Sequence, residues 1–145
     1  LLQTPKIVIR QTGDKIISAI DEWGYYCLDS VNVALLLSQY NSEYYYILGL
    51  LNSKLIDFFY REISQESGRN LAQVKPSRLK ILPIILTDNR EKQLIQKKVK
   101  KIIKLKQNDL LQKTVSIEKE IDQLIYKIYG LTNEEIDLVE NNTEN

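Results

Sequence analysis

The chain has 145 residues, 43% hydrophobic and 27% charged, with 20 Lys+Arg against 19 Asp+Glu. That length supports one domain or one domain with an appendage, and the composition excludes disordered, collagenous and low-complexity classes. There is no histidine and Cys27 is the single cysteine, which excludes histidine acid–base and metal chemistry, an internal disulfide and a thiolate metal cluster.

Lys6–Arg10, KIVIR, is short and β-branched and predicts a strand closed by Thr12, Gly13 and Asp14. Ile16–Ile20, Gly24–Leu28 and Val31–Leu37 are expected as further strands. The last of these, VNVALLL, is nearly continuous in apolar character, which predicts a strand covered on both faces. Asn41-Ser42 offers an N-cap, after which Leu48, Leu51, Leu55 and Phe58 recur at helical spacing and predict a helix of about four turns, ended by the polar QESGRN of 65–70. LKILPIIL, Leu79–Leu86, predicts an extended segment that is broken or at a sheet edge at Pro83, which lacks an N–H.

Residues 87–107 predict a second helix, with Asp88 and Glu91 as a reciprocal cap. Ile95, Val99, Ile102 and Ile103 share one of its faces, and Lys97, Lys100, Lys101 and Lys104 the opposite one. At Asn108-Asp109 no Gly or Pro forces a stop, so a turn and one long helix are both open. Ile117, Ile121, Leu124, Ile128 and Leu131 form a seam suited to a helical hairpin. Gly130 is expected at the left-handed position after that helix, Thr132 with Glu135 as a capping box for a final short helix, and NNTEN as a frayed tail.

Charge is uneven along the chain. Residues 1–74 carry 6 basic and 8 acidic side chains, residues 75–106 carry 11 and 2, and residues 107–145 carry 3 and 9. The carboxylate pairs Asp21-Glu22 and Glu118 with Asp122 read as solvated surface charge, the five glycines make no phosphate loop, and no residue group has metal-ligand spacing. The chain by itself is therefore not expected to be an enzyme. GRNLAQVKPSRLK, by contrast, interleaves cations with amides, the mixture that contacts phosphates and reads base edges. Candidate DNA contacts are Arg69, Asn70, Gln73, Lys75 and Arg78, with Arg10, Gln11 and Lys15 secondary. The helix lysines are expected to be neutralised by the acidic hairpin partner, and Tyr44-Tyr45-Tyr46 to pack over the sheet with hydroxyls reaching water. No apolar run approaches the ~18 residues of a membrane span and no signal-peptide pattern opens the chain, so no membrane partner and a cytoplasmic location are expected. Starting at Leu1 without methionine, the chain reads as part of a longer protein.

KIVIRQTG, GYYCLDSVNVALL, LGLLNSKLIDFFY, LKILPI and IYGLTNEEI occur in an order that resembles the TaqI-like C-terminal specificity domain, the target-recognition domain of type IIG restriction–modification enzymes and related N6-adenine DNA methyltransferases. The succession is also similar to half of a type I specificity subunit. The resemblance implies a module that binds double-stranded DNA beside an N-terminal methyltransferase domain. It also implies S-adenosylmethionine, and Mg2+ where a nuclease is present, in the parent protein, with no cofactor in this fragment. Asn52, Ser53, Pro83 and Gly130 carry the match and read as structural. The expected architecture is α+β: a target-recognition unit over 1–86, with a small mixed sheet and a covering helix, and a C-terminal helical hairpin over 87–145. A reading from another class makes that hairpin a protein–protein or dimerisation module.

Overall fold

In the computed structural model, which describes residues 4–143, β1 (Lys6–Arg10) lies between β2 (Ser18–Asp21) and β3 (Val31–Ala34). Ile7 pairs with Ile20 and Ala34, and Ile9 with Ser18 and Asn32, so the period of two sends Ile7 and Ile9 to the buried face under the helices. Lys6 and Asp21 pair on the opposite face, where both are buried and their charges meet at 2.5 Å. The Lys6 ammonium, helped by the backbone N–H groups of Trp23 and Gly24, holds the Asp21 carboxyl below the usual range. Asp21 is thus a buried structural charge and not the solvated one expected. The α+β class holds, but both neighbours run antiparallel to β1, so the sheet is antiparallel and not mixed.

Because β2 ends beside Lys6 and β3 begins beside Arg10, residues 22–30 must traverse the sheet from one end to the other. The strand expected over Gly24–Leu28 does not form. The Asp21 carboxylate accepts the N–H groups of Trp23 at 2.8 Å, Gly24 at 3.1 Å and Tyr25 at 2.9 Å, removing them from any ladder. β3 stops at Ala34 and lies at the edge of the sheet, half-buried along its length, instead of being covered on both faces.

The expected four-turn helix is divided into α1 (Tyr44–Leu51) and α2 (Lys54–Ser64). Asn41-Ser42 lie in a 3-10 turn and do not cap it. Ser53 is the cap, accepting the Ile56 N–H at 3.3 Å at the start of α2. Its neighbour Asn52 turns back to β2, accepting the Ser18 N–H at 2.9 Å and donating to the Ser18 carbonyl at 3.0 Å, as a further strand would. α1 is apolar nearly all round and is buried accordingly, between the sheet and α4 (Arg90–Gln107). Gly49 makes the α4 side possible: a Cβ there would lie 2.9 Å from Ile95 Cγ2 and 3.0 Å from Val99 Cγ2. The tyrosine hydroxyls find protein partners. Tyr44 takes the Leu36 N–H at 3.0 Å, Tyr46 donates to the Ile85 carbonyl at 2.8 Å, and Tyr45 donates to Glu22 with Lys100 over its ring at 4.6 Å.

The proline segment is not a strand. α3 (Pro76–Leu79) is a single turn, after which local bonds such as Ile84 N–H to the Leu82 carbonyl, 2.9 Å, occupy the backbone. The Tyr129 hydroxyl donates to Pro83 O at 2.5 Å and accepts the Ile85 N–H at 3.3 Å, so side-chain hydroxyls anchor this stretch in place of a ladder.

A turn, not a continuous helix, follows α4. Asp109 adopts φ 55°, and Leu110 N–H reaches the Leu105 carbonyl at 3.0 Å, which is the Schellman pattern built without glycine. α5 (Thr114–Ile128) returns along α4, and α6 (Asn133–Thr143) follows. The cap of α4 is Asn89, one residue later than expected, because its Oδ1 reaches the Lys92 N–H at 3.0 Å; Glu91 instead pairs with Lys127. Gly130 has φ 65°, and Thr132 and Glu135 exchange both capping bonds, at 2.8 and 3.3 Å, as expected. The tail expected to fray remains helical through Thr143, while Glu144 and Asn145 lie outside the described residues. Lys98–Glu120 and Lys106–Glu118 pairs join the hairpin, so neutralisation runs through Lys98 and Lys106 and leaves Lys97, Lys101 and Lys104 exposed. Ile117, Ile121 and Ile125 of α5 belong to the same buried cluster as Ile7 and Leu50.

Asp122 faces the core and not solvent, accepting the Lys54 N–H at 3.0 Å, and burial pushes its carboxyl up to about 6. Its unfolded value is ~3.9, so the fold binds the proton more tightly, and stability is lost as pH rises from about 4 through about 6. Asp122→Asn keeps the acceptor and removes the charge. It is expected to be ~1–3 kcal/mol more stable than the parent at pH 8 and to converge with it near pH 4 in urea unfolding.

Candidate nucleic-acid interface

Three segments separated in sequence meet at the end of the sheet where β1 finishes. Val74 N–H donates to the Gln11 carbonyl at 2.7 Å and Gly13 N–H to the Ala72 carbonyl at 2.9 Å, closing an antiparallel bridge between Thr12 and Gln73. Gln11 N–H donates to the Ser30 carbonyl at 3.0 Å, and Asn32 Nδ2 to the Val74 carbonyl at 2.8 Å, which brings in the start of β3. Val74 is buried beneath, and the Tyr60 hydroxyl of α2 supports the Gln73 carbonyl at 3.4 Å. The bridge joins the two groups of candidate residues that the sequence placed about sixty positions apart.

Gly13 adopts φ 133°, a conformation closed to most side chains, and a Cβ there would come within 2.7 Å of the Arg10 guanidinium. Arg10 therefore lies across the turn. Arg69, Asn70, Gln73, Lys75 and Arg78 are exposed, and Gln11 is half-buried. Arg78 lies in α3, whose single turn starts on Pro76 and follows directly from Lys75. Lys15 lies near Asp57 of α2, whose carboxyl its charge helps to lower against the larger effect of burial. The end of the sheet thus presents cations and amides together on a backbone held by hydrogen bonds.

Two residues that sequence reasoning missed organise this surface. Glu66 is buried at 4% exposure and accepts from Arg69 Nη1 at 3.1 Å and from Lys75 Nζ at 3.0 Å. The Lys75 ammonium, and then Arg69, hold its carboxyl below the usual range despite burial. A lone acid three residues before the first arginine of a basic loop was the available signal. Asn32 was visible as the only polar residue within VNVALLL, and its amide is what ties the loop of 69–75 to β3.

Cationic side chains contact phosphate oxygens, and amides and guanidinium groups pair with base edges. Among the described residues no cluster of three or more metal-ligating groups occurs, and no helix is long and apolar enough to cross a membrane. The glycines lie apart, Gly13 in a turn, Gly24 in the crossover, Gly49 within α1, Gly68 in the loop and Gly130 after α5. They form no glycine-rich cradle among the described residues.

The TaqI-like C-terminal specificity domain matches residues 1–84. The match ends within the segment anchored by Tyr129, before the first residue of α4. No curated protein matches the chain.

The tether predicts a local effect. Asn32→Ala is expected to cost ~0.5–1.5 kcal/mol. In hydrogen exchange it should expose the Gly13 and Val74 amides, whose bonds close the bridge, while the α4 and α5 amides keep their protection.

Proposed function

The chain belongs to the family of TaqI-like C-terminal specificity domains, and we propose that it reads double-stranded DNA through the surface at the end of the sheet. The observation that carries this reading is the bridge between residues 11–13 and 72–74, which places Arg10, Gln11, Arg69, Asn70, Gln73, Lys75 and Arg78 on one hydrogen-bonded frame. Arg10, Lys75 and Arg78 supply phosphate contacts and register. Asn70 and Gln73 carry the donor–acceptor pair that matches adenine in the major groove, and Arg69 the fork that matches guanine.

In this reading the module belongs to a restriction–modification system and holds duplex flanking the site of N6-adenine methylation. Methyl transfer from S-adenosylmethionine, and cleavage where a nuclease is linked, belong to other domains of a parent protein in the cytoplasm. Adenine-modifying enzymes take the target base out of the stack, so the recognition surface has only to grip the helix beside it.

Selection of bound duplexes from a randomised pool, followed by titration across 50–300 mM salt, tests the proposal. Affinity should fall steeply with salt. Arg78→Ala should weaken binding to all sequences and reduce the magnitude of the salt slope by about 1, whereas Gln73→Ala should relax preference at one position at a cost of ~1–3 kcal/mol. Affinity that is independent of salt, or no enrichment of any sequence, would sink the reading.

A further inference from the structure

Helix α2 ends in a way that fixes one carboxylate beneath the loop of 69–75. Gln65 takes a left-handed conformation, φ 54°, and the chain turns so that Glu66 is buried at 4% exposure. Its Oε1 accepts from Arg69 at 3.1 Å and Lys75 at 3.0 Å, while those side chains remain 63% and 51% exposed. The carboxylate lies below and the cations reach past it to the surface. Only Nη1 of Arg69 is engaged by Glu66, which leaves other N–H donors of the guanidinium for a planar, two-bond contact. An exposed arginine or lysine with no such partner spreads over many rotamers and meets phosphate as a mobile charge.

Resting on the proposed DNA-reading role, we infer that Glu66 is a positioning residue of this surface, which holds Arg69 and Lys75 in one orientation and offsets one unit of positive charge. Orientation sharpens the difference between right and wrong base pairs. The offset charge weakens attachment to the phosphate backbone, which is the same for every sequence. Specificity is the difference of the two affinities and gains from both. The lowered carboxyl of Glu66 keeps the charge in place throughout neutral pH.

The test uses the whole chain, a duplex recovered from the randomised pool, and a fixed duplex of unrelated sequence. Glu66→Gln preserves shape and an acceptor but removes the charge. It should bind the unrelated duplex about 3- to 10-fold more tightly at 100 mM salt, with a salt slope steeper by about 1, and the affinity ratio between the two duplexes should fall roughly tenfold. Glu66→Asp keeps the charge and withdraws it by one methylene, so the ratio should fall with the slope unchanged. Thermal unfolding is followed for each protein. Variants that melt earlier but retain the parent's ratio and slope would show that Glu66 only clips the loop, and the inference is overturned. If the parent chain itself binds no duplex at 50 mM salt, the DNA-reading role fails, and the inference falls with it.

Discussion

The close contact between α1 and α4 at Gly49 sets how the helices can cover the sheet. α1 presents Tyr44, Tyr46, Leu48, Leu50 and Leu51 as buried side chains, and burying each such group stabilises the fold by ~1.5–3 kcal/mol. A helix that is apolar around its circumference must be covered on more than one side. The sheet covers one side, and α4 covers another only because no side chain at Gly49 holds off Ile95 and Val99. Once α4 is seated, α5 follows through the turn at Asp109, and Tyr129 at its end reaches the proline segment. The hairpin and the sheet-bearing part therefore share a core.

That shared core bears on the candidate surface at the end of the sheet, which has little apolar mass of its own. Its order comes from hydrogen bonds closed over a rigid base: Gln11 to Val74, Gly13 to Ala72, Asn32 to Val74 and Tyr60 to Gln73. Tyr60 is fully buried in α2, which carries the order of the core into the loop. Side chains held on such a frame keep their geometry better than those on a free loop.

Electrostatics follows the same division of labour. Among the ion pairs of the described residues, Lys6–Asp21 and Lys92–Glu43 are buried and hold structure, while Lys98–Glu120 and Lys106–Glu118 lace the hairpin. Exposed pairs of the second kind contribute little to stability, but they reduce the lysine density available to a polyanion. Glu66 differs from both, since it is buried while its partners are not. A net charge of +1 is thus the sum of spatially separate arrangements and is no measure of affinity for nucleic acid.

The elements governed by local rules were legible in the residues. β1, the apolar and lysine faces of α4, Gly130 at its left-handed position, the Thr132–Glu135 box and the α+β class all follow from periodicity and capping chemistry acting within a few positions. The basic loop was legible as a candidate for the same reason, because its residue types state what they can contact. Elements decided by distant partners were not. Gly24–Leu28 and Leu79–Leu86 have the apolar content of strands, but Asp21 takes the donors of the first and Tyr46 and Tyr129 anchor the second. The helix break at Asn52-Ser53 is tied to Ser18 across the fold. Family, fold class and the inventory of candidate side chains can be read from the residues alone. Which of them stand together, and that Glu66 lies beneath them, is set in the folded chain, because a hydrogen bond or ion pair between remote residues leaves no periodic trace in either segment.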